Sequence, residues 1–278
     1  MKRALLLCIS LLLLILLVSC GGEVEPPDEE ITPSAEIDVL KIGKADCIII
    51  NTGSNILMID TGERENLSKI RFHMSEKGYD RIDTLIVTHY DKDHIGGAKE
   101  IIEQYGVKTV IETKFTSTSE EYLAYHQAIA STGATLNKLE ENIRFNFDGC
   151  VFDILVPKRT KYSTAKDNNQ SLVISMECGE KKLLFCGDAL ELRMAELVDD
   201  KIGHYDIVKL PHHGTYLKNY SMVLEELAPS YCVITDSAKN PADTELIDLL
   251  NQNEIPVYAT RNGGISISIN DNIITVKQ

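Results

Sequence analysis

The sequence predicts an α/β (α+β) fold in which two mixed β-sheets pack face to face with helices on their outer faces, an αββα sandwich. Three observations predict it. Each half of the folded region opens with short apolar strands and continues as strand–helix units. Four apolar strands end in polar or metal-capable side chains, which strand ends on a shared sheet edge would bring together. Apolar content of 44% with 25% charged residues over 278 residues is that of a globular chain with a core of its own.

The first nineteen residues stand apart. A basic start, Lys2-Arg3, precedes the apolar run ALLLCISLLLLILLV, the layout of a secretory signal peptide. A transmembrane anchor is the rival reading, because the run approaches spanning length. Residues 21–35, GGEVEPPDEEITPSA, are acidic and proline-rich with little to bury, so 20–35 reads as a tether and 36–278 as the folded domain.

From Glu36 the runs EIDVLKI, DCIIIN and NILMID are three strands separated by Gly43 and the turn TGSN. NLSKIRFHMSEKG is an amphipathic helix closed by Gly78. TLIVTH is a buried strand, IGGAKEIIEQYG a helix and VKTVIET a strand. SEEYLAYHQAIASTG is a helix with a Ser start and a Gly stop.

The second half repeats the scheme. Strands are predicted at 143–147, 151–156, 171–178 and 181–186, a helix at 189–198 and a strand at 206–210. A helix at 218–227, a strand at 230–235 and a helix at 243–252 follow, then strands near 256–260, 264–269 and 272–277.

Formal charge is −14, and loss of residues 1–19 with their two cations would make it −16. That balance argues against broad, non-specific nucleic-acid binding while leaving room for a local basic groove. Cys8 and Cys20 belong to the signal; the other cysteines are Cys47, Cys150, Cys178, Cys186 and Cys232, all in or beside apolar runs and without CxxC spacing. Buried free thiols are expected, with one bridge allowed by export.

The chemistry concentrates in THYDKDHIGG, residues 88–97. His89 and Asp91 are two apart on an extended segment and face one way. Asp93 and His94 begin the next helix, and Gly96-Gly97 permits close backbone approach. Imidazole and carboxylate together suit zinc, iron or manganese. A solvated acidic turn is the bland alternative. It loses ground because LLFCGDA ends at Asp188, IVKLPHHGT at His212-His213, and DNNQSLVIS enters a strand from Asp167 and Asn168. His73, His126 and His204 stand without such partners and read as ordinary surface or core residues.

These blocks resemble the metallo-β-lactamase fold, in the subgroup of the soluble domain of ComEC-type competence proteins. THYDKDHIGG is similar to the HxHxDH signature with Asp at the third position, and LKIGKADCIII to the VGQGD segment. NILMIDTG, NNQSLVIS, LLFCGDA, VKLPHHGT and ISISIN follow in the same order. The end of the leader, LVSC, likewise resembles a bacterial lipobox, which implies lipid on Cys20, export, and attachment to the cell membrane.

The resemblance implies two divalent metal ions, zinc or manganese. His89 and Asp91 would hold the first. Asp93 and His94 would hold the second, completed by His213 with His212 as the alternative, and Asp188 would bridge. Where many relatives complete the first site with histidine this chain has Asp167, so carboxylates replace imidazole and preference moves toward manganese-like ions. Asp46 and Asp60 would orient loops or ligands from behind.

A water bridging two cations loses its proton near neutral pH and becomes the nucleophile. Asp93 and the free one of the PHHG pair, His212, are the catalytic candidates. Asn168 and the basic residues Lys158, Arg159, Lys161 and Lys166 are candidates for substrate phosphates, with Lys209 and Lys218 on the same face. The expected activity is phosphodiester hydrolysis, nucleic acid among the candidate substrates, with no protein partner. The alternative is a small ester, lactone or amide; Asp91 and HHGT argue against a β-lactamase. A non-enzymatic lipoprotein is the third reading.

Overall fold

The computed structural model describes residues 32–162 and 167–278, and of Asp167 the backbone alone. The expected leader, Cys20, most of the tether, and Lys166 lie outside the described residues. Thr32–Gln278 forms one compact unit. No helix among the described residues is long and apolar enough to cross a membrane.

The first half supplies β1 (Ala35–Val39), β2 (Ile48–Asn51), β3 (Ile56–Ile59), helix α1 (Leu67–Glu76) and β4 (Thr84–Val87). Short α2 (Lys92–Ile95), α3 (Ala98–Tyr105), β5 (Thr109–Thr113), α4 (Glu120–Thr132) and β6 (Thr135–Leu139) follow. The second half runs β7 (Ile143–Phe147), β8 (Cys150–Leu155), β9 (Val173–Cys178), β10 (Lys181–Phe185), α5 (Glu191–Asp199) and β11 (Ile207–Lys209). It continues with α6 (Tyr220–Leu227), β12 (Tyr231–Ile234), α7 (Thr244–Gln252) and β13 (Val257–Ala259) before β14 (Ile265–Asn270) and β15 (Ile273–Lys277).

These strands form two mixed sheets, of order β15-β14-β1-β2-β3-β4-β5-β6 and β13-β12-β11-β10-β9-β8-β7. The final hairpin crosses back to pair antiparallel with β1, which ties the end of the chain to its first sheet. Between the sheets lie Ile37, Ile50, Ile86, Phe152, Ile174 and Leu183, all buried. Each such side chain contributes about 1.5–3 kcal/mol on leaving water. A second cluster joins the first sheet to α1, α3 and α4 through Ile70, Ile101 and Tyr125. A third joins the second sheet to α5, α6 and α7 through Met194, Val223 and Leu246. The predicted four-layer αββα sandwich is the observed one.

Three expectations are corrected. Gly96 and Gly97 split the predicted helix into α2 and α3. A Cβ on Gly96 would lie 2.6 Å from the Lys92 carbonyl oxygen, and one on Gly97 2.7 Å from that of Thr61, so the turn needs both glycines. Strand β6 was not predicted. Of the five thiols, only Cys47, Cys186 and Cys232 are free and buried. Cys150 and Cys178 form a disulfide, because the antiparallel register of β8 and β9 sets them directly opposite one another.

Candidate metal centre

The cluster sits where strands of both sheets end. His89, Asp91, Asp93 and His94 follow β4 of the first sheet. Asp188 follows β10 of the second, and His212-His213 follow β11. Asp188 is the centre. It is 2% exposed, with His94 Nε2 3.2 Å from its Oδ1. His213 Nε2 lies 3.5 Å from its Oδ2, and the Nε2 atoms of His89 and His212 lie 3.9 Å from that oxygen. Asp93 Oδ2 is 3.1 Å from His213 Nε2, and Asp91 Oδ2 is 3.7 Å from His89 Nε2.

One ligand atom from each of Asp93, His94, Asp188 and His213 falls within 4.8 Å of the others. His89 Nε2, His94 Nε2 and Asp188 Oδ1 are buried without a hydrogen-bond partner. Polar atoms left unpaired in a core are costly unless a ligand meets them. The inward nitrogens and carboxylates are the donor set that a divalent ion takes, so these residues fit the expected metal.

Three of the four imidazoles are held from behind. His94 Nδ1 is 2.7 Å from Asp60 Oδ2, and the same carboxylate accepts from Thr88 N (2.8 Å) and Thr88 Oγ1 (2.7 Å). His89 Nδ1 is 3.1 Å from Thr88 Oγ1. His213 Nδ1 is 3.0 Å from the Thr235 carbonyl oxygen. Such partners fix the tautomer and leave Nε2 pointing inward.

Behind His213, Asp46 accepts from Thr235 Oγ1 (2.5 Å) and pairs with the fully buried ammonium of Lys209, which also donates to the Gly187 carbonyl oxygen (3.2 Å). Asp60, His212 and His213 all have φ near +50°, strained for residues with a Cβ.

Electrostatics follow the packing. Burial raises Asp188, but His213 and His94 outweigh it and hold the carboxyl well below its usual range. Burial lowers His94, but Asp188 and Asp60 hold it well above its ordinary value. Burial likewise lowers His213, yet Asp188, Asp46 and Asp93 push it up to about 10. His212 goes the other way, lowered first by burial and then by nearby cations against the pull of Asp188.

The remaining expected residues divide. Asp167 carries a described backbone in the 3₁₀ turn Asp167–Gln170 and no described side chain. Asn168, expected at the substrate, is buried and donates to Asp188 Oδ2 at 3.3 Å. Lys158 pairs with Asp200, just after α5, and Arg159 lies 3.5 Å from Glu196 within it, so both cations already have acidic partners. Lys161 and Lys218 are exposed, whereas Lys209, expected on the surface, is buried in its pair with Asp46. His204 is exposed, His73 pairs with Asp38 (3.1 Å), and His126 lies 3.1 Å from Glu112.

Asp46 and Asp60 stand behind the ligands as expected, whereas Thr88, Thr235 and the pairing of Lys209 with Asp46 were missed. A polar residue at the end of an apolar strand was their only signal.

Comparison with known proteins agrees with this geometry. A family model described as the metallo-beta-lactamase superfamily matches residues 41–234. ComE operon protein 3 of Bacillus subtilis is 24% identical over 257 residues, covering 84% of this chain and 33% of that protein. Recombination protein 2 of Haemophilus influenzae is 24% identical over 214 residues, covering 75% and 25%. The chain thus spans a third or less of these relatives.

Among solved structures, the metallo-beta-lactamase fold protein YhfI of Bacillus subtilis superposes with a TM-score of 0.54 at 10% identity, over 88% of this chain and all of that one. Zinc-bound PqqB of Methylobacterium extorquens gives 0.52 at 14%, over 80% and 86%. These likenesses concern the fold.

Proposed function

The chain belongs to the metallo-β-lactamase superfamily, and from that premise we propose that it is a metal-dependent phosphodiesterase of the cell exterior, anchored to the membrane through lipid on Cys20. The observation that carries the reading is Asp188, surrounded by four imidazoles within 3.9 Å, together with the carboxylates of Asp91 and Asp93. Beside the imidazoles, Asp91 and Asp93 add oxygen donors, so the mixed set suits manganese as well as zinc beside a phosphoryl group. The name of one relative, Recombination protein 2, supports nucleic acid as a source of the phosphodiester. The basic residues beyond Lys158 and Arg159, such as Lys161, would add to its binding.

Two divalent ions, zinc or manganese, would supply Lewis acidity and a lowered water pKa. His89, Asp91 and Asp167 would hold one, Asp93, His94 and His213 the other, and Asp188 both. Thr88, Asp60 and Thr235 keep the imidazoles turned inward and so limit reorganisation. Asp93, at the edge of the cluster with Oδ2 3.1 Å from His213 Nε2, would also accept a proton from the attacking group. His212 is neutral at pH 7 in this setting, with its Nδ1 buried and unpartnered, so it serves as a hydrogen-bonding group beside the leaving oxygen rather than as a resting acid.

Purified protein should carry divalent metal and hydrolyse bis-p-nitrophenyl phosphate with added manganese, and Asp188→Ala should abolish both. Cleavage of nitrocefin alone would overturn the substrate assignment. Metal-free wild type and variant alike would overturn the centre. For the anchor, labelled fatty acid should enter the wild type and not Cys20→Ala.

A further inference from the structure

The stretch Asn168–Leu172 packs against two other segments of the centre. Leu172 N donates to the Thr88 carbonyl oxygen (2.9 Å), just before His89. Asp188 N donates to Ser171 Oγ (3.3 Å), and Asn168 Nδ2 donates to Asp188 Oδ2 (3.3 Å). A Cβ on Gly187 would lie 3.1 Å from Thr88 Cβ and 3.3 Å from Ser171 Cβ, so the three segments meet with little space between them. Asp188 is thus held by this stretch at both its backbone and its carboxylate.

Two side chains one layer further out hold the stretch itself. Asn169 and Arg193 are both 1% exposed. Asn169 Oδ1 accepts from Leu190 N (3.2 Å) and Arg193 N (3.1 Å). These are first-turn amides of α5, which begins three residues after Asp188. Leu190 occupies the N-cap position and has no side-chain acceptor, so Asn169 caps the helix from a distant segment. Arg193 sends Nε to the Ser171 carbonyl oxygen (3.3 Å) and Nη2 to that of Leu155 (2.8 Å), with Nη1 on Glu196 Oε2 (3.1 Å). A guanidinium is a rigid fork, and three met arms fix it in one place.

We propose that Asn169 and Arg193 are positioning residues of the metal centre, which lock Asn168 and Ser171 against the start of α5 and so set the direction in which Asp188 presents its carboxylate to the ions. Both act through their neighbours and not on the ions. A ligand aimed in advance binds metal with less reorganisation than one that must be ordered on binding. The inference rests on the reading of the cluster as a metal centre and not on a phosphodiester as substrate.

The test measures manganese affinity of the full chain by competition with a chelator of known strength. Asn169→Ala leaves two helix amides without their acceptor and should weaken binding about tenfold. Asn169→Asp keeps an acceptor oxygen at the helix N-terminus and should restore most of the loss. Arg193→Lys keeps the charge beside Glu196 but not the fork, and should weaken binding in the same way. Phe152→Leu, in the core between the sheets, lowers stability without touching the stretch and should bind manganese as the wild type does. Wild-type affinity in Asn169→Ala overturns the proposal, and so does an equal loss in Phe152→Leu, which would mean general loosening. Hydrogen exchange of the metal-free protein reads the clamp without the ion. The Asp188 amide should exchange about tenfold faster in Asn169→Ala and at the wild-type rate in Asn169→Asp. If the wild type binds no metal, the metal-centre reading fails, and exchange of that amide alone decides the clamp.

Discussion

Asp60 Oδ2 lies 2.7 Å from His94 Nδ1, and both side chains are wholly closed to solvent. The same carboxylate receives the backbone and the hydroxyl of Thr88. One acid therefore orients His94 directly and His89 through Thr88.

Asp60→Asn should weaken metal binding about 10–100-fold, the usual cost of losing an outer partner of a ligating histidine. Competition against a chelator of known affinity measures it. Unchanged affinity would mean that the turn is held by its glycines and backbone alone.

Lys209 and Asp46 should be inseparable. Lys209→Met leaves the buried Asp46 charge without its main partner and should cost about 3–5 kcal/mol in urea unfolding. Replacing both with apolar residues should restore much of that loss. If the single variant unfolds like the wild type, Thr235 and His213 suffice to hold Asp46.

Metal uptake should compete with protons. Without metal, His213 has its pKa raised to about 10, above the about 6.5 of an unfolded imidazole. Its contribution to stability is complete below about 6.5 and is lost as pH climbs through about 10. A metal ligand must be neutral, so binding expels this proton, and apparent affinity should rise with pH until it levels near 10. Affinities measured from pH 6 upward test this; a profile flat above about 6.5 would show that His213 is already neutral.

Much of this was legible in the sequence because buried strands announce themselves. TLIV, LLFC and IVKL are mainly apolar runs, and each ends at residues that the fold brings together. Strand β6 was illegible because four of the five residues in TLNKL are exposed, leaving only Leu139 to mark a buried face. The Lys209–Asp46 pair was illegible for another reason. Its partners are 163 residues apart, and a lysine after an apolar strand looks the same whether it turns outward or inward. The disulfide depended on strand register, which composition does not reveal.

The three turns that carry the cluster follow strands of different sheets, and Asp93 meets His213 across 120 residues of chain. Such a cluster cannot close until both sheets are built and facing one another. The ions are therefore late arrivals in folding rather than its nucleus. Their binding energy should slow unfolding while leaving the refolding rate nearly unchanged, so metal would serve this chain as a latch on its folded lifetime.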